Sequence, residues 1–220
     1  MQTLPRRWSF DWRHLRRFAA PVCALLCALA WPLAGTAADS LDLARLMQAL
    51  AQVKAGEATF TERRQVAMLD QPLESSGKLS FEAPDTFVRE TLKPRRERIA
   101  ISGNILTLSQ GNRTRTMALD SAPEAAVIVE AIRGTLTGNG AALERVFNAS
   151  VSGNSQLWFL ELVPREARLR SQVISVRVAG QQGVVREVLV ALTDGDRSVM
   201  SIDPVVATAR AATRPASGPP

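Results

Sequence analysis

From Glu57 to Leu119 the apolar residues of this chain keep a period of two, in short runs with little between them. No other feature restricts the fold as much. The runs are "ATFTERRQVAML", "GKLSFEAP", "TFVRETLKP", "RERIAIS", "ILTLSQ" and "RTRTMAL". Alternation puts the apolar side chains of each run on one face of an extended strand. The separators "DQP", "APD", "SGN" and "QGN" are turn chemistry. Connections that short join antiparallel neighbours, because parallel neighbours need a long crossover. A sheet of this many strands twists and curls, and its exposed edges are a liability that the fold must manage.

Helical patterns bracket these strands. Ahead of them, "SLDLARLMQALAQVK" sets Leu43, Leu46, Met47 and Leu50 at helical spacing, with Asp39 or Ser40 to cap the start and Gly56 to stop it. After them, "SAPEAAVIVEAIRGTL" opens with Ser121 and Glu124 at capping-box spacing and Pro123 in the first turn. Val127, Ile128, Ala131 and Ile132 form its stripe, and beyond "TGNG" a short helix, "AALERVFN", aligns Leu143, Val146 and Phe147. Strand patterns return in "SQLWFLELVP", "RSQVISVRVAG", "GVVREVLVALTDG" and "RSVMSID", joined by the hairpin turns "AGQQG" and "TDGD". From Pro204 the composition is Ala, Arg, Pro and Ser without period, which predicts a disordered tail over 204–220. The expected fold is α+β and mainly β: one domain over residues 39–203, a curved antiparallel sheet with helices covering one face or mouth.

Residues 1–38 read as a secretory signal. Five arginines precede an apolar stretch from Phe18 to Leu33, followed by "AGTAA", so cleavage is expected after Ala37 or Ala38. Cys23 follows Val22 and Cys27 follows Leu26, neither of which suits a lipidation site. Removing this segment takes both cysteines and the only histidine, His14. It leaves 22 basic against 20 acidic residues, a charge of +2 where the whole chain has +6. The basic balance therefore belongs largely to the export signal, and no nucleic-acid partner is expected. A remainder without Cys, His or Tyr excludes a Ser-His-Asp triad, a histidine base, a thiolate nucleophile and zinc sites built on N and S ligands. Carboxylate chemistry stays open in principle, but the acids are scattered along the strands. No catalytic residue, metal or cofactor is expected, and the chain is read as a non-enzyme.

The strand motifs carry a family likeness. Ala58 and Phe60, then Gly77, Leu79, Phe81, Pro84 and Phe87, then Ile101, Gly103 and Leu106 occur in the order used by the outer-membrane lipoprotein carrier proteins of the bacterial periplasm, the LolA-like family. Leu162, Pro164 and "VREVLVALTDGDRSVMSI" continue it, so the resemblance covers roughly residues 40–203. It implies an unclosed antiparallel β-barrel lidded by helices, with a cavity that holds lipoprotein acyl chains. It also implies a periplasmic monomer that takes cargo from an inner-membrane donor complex and passes it to an outer-membrane acceptor. Acyl carriage is physically reasonable, because an acyl chain in water costs about 0.8 kcal/mol per CH₂ and needs a dry groove to cross an aqueous compartment.

On that resemblance the cavity candidates on the sheet are Leu79, Phe81, Phe87, Ile101, Leu106, Leu108, Trp158 and Leu160, and the lid candidates are Val127, Ile128, Ile132, Val146 and Phe147. Alternating apolar faces ordinarily make solid cores, so each of these residues also has a plain packing role open to it. The acids and bases of "ETLKPRRERI" read as a solvated edge, with a docking patch for a membrane complex as the alternative. One departure stands out. Relatives place a basic residue just before the hairpin proline, where it bonds the lid helices; here the position is Ala83. Arg63, Arg64 and Arg89 are the candidate substitutes. A second function class fits the same fold: a non-catalytic sensory or regulatory module binding an envelope protein partner.

Overall fold

The computed structural model describes residues 41–205; the leader expected over 1–38 and the tail beyond residue 205 lie outside them. Helix α1 (Leu43–Leu50) leads into six strands: β1 (Ala55–Gln65), β2 (Leu73–Glu82), β3 (Thr86–Lys93), β4 (Glu97–Ser102), β5 (Ile105–Gln110) and β6 (Arg113–Ala118). A 3₁₀ turn, Leu119–Ser121, precedes α2 (Pro123–Leu136) and α3 (Gly140–Val146). Then come β7 (Phe147–Asn154), β8 (Leu157–Pro164), a one-turn α4 (Ala167–Arg170), β9 (Val173–Gln181), β10 (Val184–Leu192) and β11 (Arg197–Pro204). All eleven strands join one antiparallel sheet in the order β6-β5-β4-β3-β2-β1-β11-β10-β9-β8-β7. Strands β6 and β7 are its two edges and do not pair with each other, so the sheet is an open one in which the first and last strands, β1 and β11, pair in the middle.

Several local expectations are corrected. The second strand set has five members, because "FNASVSGN" forms β7; its inward residues Ala149 and Val151 are too small, and its neighbours too polar, to give a clear alternation. Phe147, expected on the lid, is the first residue of that strand and packs from the sheet. Asp42 caps α1 by accepting from the Arg45 amide at 2.7 Å, and Gly56 lies within β1 instead of stopping the helix. The Ser121 hydroxyl donates to the Ala118 carbonyl at 2.6 Å, closing the 3₁₀ turn instead of building a capping box. Pro204, assigned to the tail, ends β11. The Ala83–Pro84 and Lys93–Pro94 peptide bonds are cis.

The helices cover one face of the sheet, unevenly. Against β7–β10 they build a filled core: Leu46, Met47 and Leu50 of α1, Val127 and Ala131 of α2 and Leu143 of α3 meet Phe147, Trp158, Leu160, Leu162, Val176 and Val178, all essentially excluded from solvent. Each such side chain contributes on the order of 1.5–3 kcal/mol by burial, so this half anchors the domain. Against β3–β5 the contact is thinner. The buried apolar residues there are Ile101, Leu119 and Val129, with Phe87, Leu106, Ala125 and Ala126 partly buried around them. Helix α2 thus wedges between two clusters. Its run Ala125–Val129 is apolar on every side, the pattern of a helix contacted on two faces.

Candidate functional site

Strand register decides which side chains share the helix-covered face, since residues directly opposite each other point the same way. One row runs Phe81, Phe87, Ile101, Leu106 across β2–β5, and the next runs Leu79, Arg89, Ile99, Leu108. Phe81 and Phe87 stack with ring centroids 5.1 Å apart. The six candidates Leu79, Phe81, Phe87, Ile101, Leu106 and Leu108 therefore share an apolar wall on the inner face, broken in its second row by Arg89. Ile101 is buried and the other five are half-buried. Leu79, Phe81 and Leu108 belong to neither buried cluster.

The other two sheet candidates sit apart. Trp158 and Leu160 face the same side but are fully enclosed in the β7–β10 core, and the indole N–H of Trp158 donates to the Gln182 carbonyl at 2.8 Å. Their outward neighbours Leu157 and Phe159 are solvent-exposed, so this strand is packed on one face only. Among the lid candidates, Val127 is buried in that core and Ile128 and Val146 pack on it. Ile132 is half-buried and belongs to neither cluster. The helix residue that meets the wall is Val129, off the expected stripe. Its signal in the sequence was the unbroken apolar run around the helix, which leaves the wall-facing side undetermined.

A polar group interrupts the inner face beside the wall. Arg89, opposite Leu79, turns its guanidinium to Glu62 on β1 and to the Ser75 hydroxyl at 3.3 Å. Ser75 and Ser198 both donate to the Glu62 carboxylate. The Arg89 guanidinium lies 4.8 Å over the ring of buried Phe60, a cation–π contact. Its Nε is buried without a hydrogen-bond partner. Period-two reading missed this cluster because its members come from four strands.

None of the arginines nominated to replace a basic residue at position 83 reaches the helices. Arg63 pairs with exposed Glu74, Arg64 with Asp196, and Arg89 with Glu62. Asp196 sits in the β10–β11 turn; the Ala67 amide and the Arg64 guanidinium bond its carboxylate and hold its pKa below the usual carboxylate range. The connection between lid and sheet runs the other way. Arg133, on α2, donates to the Gly103 carbonyl in the β4–β5 turn at 2.6 Å and pairs with Glu130 at 3.3 Å. Beside it, between the β2–β3 turn and α2–α3, lies a cavity of about 560 Å³ lined by Pro84, Asp85, Glu130, Arg133, Thr137 and Asn139. A groove of about 690 Å³ lies toward the opposite end of the strands, near Arg63, Glu74, Ser76 and Lys93. Neither is lined by the six wall residues. Among the described residues, no group of three or more His, Cys, Asp or Glu is placed to hold a metal ion, and no helix is long and apolar enough to cross a membrane.

No curated protein matches the chain. Solved structures similar to it include a LolA superfamily protein from Nitrosomonas europaea, at 9% identity and TM-score 0.42, covering 74% of this chain and 92% of that one. A DUF1329 family protein from Desulfovibrio piger is similar at 9% identity and TM-score 0.43, covering 73% and 88%. The MucA/MucB complex of Pseudomonas aeruginosa is similar at 13% identity and TM-score 0.41, covering 76% of this chain and 59% of that one. The family model for outer membrane lipoprotein carrier protein LolA-like sequences matches residues 34–217, and the chain belongs to that family.

Proposed function

We propose that the chain is a periplasmic carrier that binds the acyl chains of lipoproteins, or of a related lipid-linked product, and hands them toward the outer membrane. The observation that carries this reading is the difference between the two halves of one sheet face. The β7–β10 half is filled by its helices, whereas the wall of Leu79, Phe81, Phe87, Leu106 and Leu108 is left half-buried, with Phe87 and Leu106 alone packed on the cluster that includes Val129 of α2. A wall that only had to be a core would be filled; a wall that must release its contents is better covered by a removable helix. Displacing α2 from Ile101 and Phe87 uncovers an aliphatic and aromatic surface suited to a methylene chain, and each CH₂ buried there returns about 0.8 kcal/mol. No reaction is needed, only binding, shielding and release to a tighter binder. An inner-membrane donor complex and an outer-membrane acceptor are the partners this cycle calls for, and a monomer suffices for it. Membership of the lipoprotein carrier family supports the reading.

The test is native mass spectrometry of protein recovered from the periplasm, paired with titration of a fluorescent fatty acid. Co-purifying acylated species are expected, together with probe binding that Leu79→Asp and Leu108→Asp abolish. A protein that is always empty and also rejects the probe overturns the proposal.

A further inference from the structure

We infer that the end of the sheet carrying the β1–β2, β3–β4 and β5–β6 turns is a docking face for an anionic lipid bilayer. In an antiparallel sheet, alternate connections lie at the same end, so these three turns are neighbours. Strands β3 to β6 are adjacent and span about 15 Å at the usual spacing. Within that width stand Lys93, Arg95, Arg96, Arg98 and Arg113, all exposed, and none of their side chains has an ion-pair or hydrogen-bond partner among the described residues. The acids close by are Glu90 and Glu97, with Asp70 and Glu74 in and beside the β1–β2 connection. The opposite end has the reverse balance: Glu82 and Asp85 border the β2–β3 turn and Asp120 and Glu124 open the helical segment, against Lys54 and Arg133. The molecule is therefore electrically polarised along its strands, and an anionic surface turns the basic end toward itself.

A second feature at this end selects a bilayer over an acidic protein. The β1–β2 connection exposes Met68 at 92% and Leu69 at 43%, and Leu73, the first residue of β2, at 52%. Apolar side chains raised beside a basic cluster match the layering of a membrane interface, where headgroup charge overlies the acyl boundary. The two features come from different turns, and both point away from the Arg133 end of the helices. This inference does not depend on the acyl wall.

The experiment is co-sedimentation of the periplasm-derived protein with vesicles of phosphatidylcholine alone or mixed with an equal amount of phosphatidylglycerol, at low and high salt. Binding to the anionic vesicles only, weakening with salt, is expected. Each basic side chain near an anionic surface is worth about fivefold in partitioning, so Arg95→Gln with Arg96→Gln lowers binding by roughly thirtyfold. Met68→Ser with Leu69→Ser also lowers it. Both double variants keep wild-type melting and fatty-acid probe binding, since they lie outside the wall. Equal binding to neutral vesicles, no binding to either, or binding untouched by the substitutions overturns the inference. So does binding only to native envelope vesicles that protease treatment abolishes, which assigns the face to a protein partner.

Discussion

The Arg133 guanidinium, carried by α2, donates to the backbone carbonyl of Gly103 at 2.6 Å and so ties the helix to the β4–β5 turn. The side chain at position 83 has nothing to donate. The backbone amide of Ala83 bonds the Lys54 carbonyl at 2.8 Å. A cation still spans the helix–sheet seam, supplied from the helix side instead of the hairpin. A hydrogen bond from a charged donor in a half-buried setting contributes about 1.5–3 kcal/mol. Arg133→Met should therefore accelerate amide exchange in α2 and in the Gly103 turn, leaving β8 and β9 protected, as read by hydrogen-exchange mass spectrometry. On the carrier proposal, fatty-acid probe affinity rises in the same variant. Ala83→Arg acts oppositely, slowing exchange in α2 and weakening the probe.

Trp158 and Leu79 lie on the same sheet face but in different surroundings. Trp158→Ala opens a cavity in a filled core and should cost about 3–5 kcal/mol in a denaturant titration. Leu79→Ala removes a half-buried side chain outside both clusters and should cost under about 1.5 kcal/mol while lowering probe binding. Equal stability losses at the two positions would show that the wall is as tightly filled as the core.

Gly77, opposite Phe60 and beside a register shift between β2 and β3, is a close-approach glycine. A Cβ there would stand 1.9 Å from the Glu90 carbonyl oxygen, a backbone atom that cannot swing aside. Gly77→Ala is expected to destabilise by about 3 kcal/mol as β3 is pushed out of register. A melting temperature equal to wild type would contradict this placement of the strands.

Glu62 is the acceptor for Arg89, Ser75 and Ser198 together. Glu62→Ala strands a largely buried guanidinium and should cost about 3 kcal/mol, whereas the double change Glu62→Ala with Arg89→Met recovers much of the loss. A chemical-denaturation cycle over the four proteins measures the coupling, and strict additivity would rule the network out.

Asp196 makes the β10–β11 turn sensitive to acid through its bonds to the Ala67 amide and Arg64. Its folded pKa lies below the unfolded value, through the Ala67 amide first and Arg64 second. Its contribution is complete above the unfolded carboxylate pKa and drains away as pH falls through the lowered folded one. Denaturation midpoints measured across that acid range should fall less steeply for Asp196→Asn than for wild type, with the variant already weaker at neutral pH.

Local pattern was enough for the strand alternation, the hairpin turns and the helical segments, because side-chain period and turn chemistry are properties of neighbouring residues. Phe81, Phe87, Ile101 and Leu106 share a face through register alone, and register follows from the short hairpins that join their strands. What lay beyond the sequence was decided by packing between distant segments. Trp158 and Leu160 alternate as Leu79 and Phe81 do, yet the first pair is filled core and the second half-open wall, because α1, α2 and α3 settle over β7–β10. Phe147 moved from lid to strand, and β7 escaped notice, because a weakly patterned segment took its conformation from pairing with β8. The ion pairs were least legible: Arg64, Arg89 and Arg133 are alike as residues, and only the folded chain assigns them Asp196, Glu62 and the Gly103 carbonyl. A charge finds its partner through space, and the sequence orders it only along the chain.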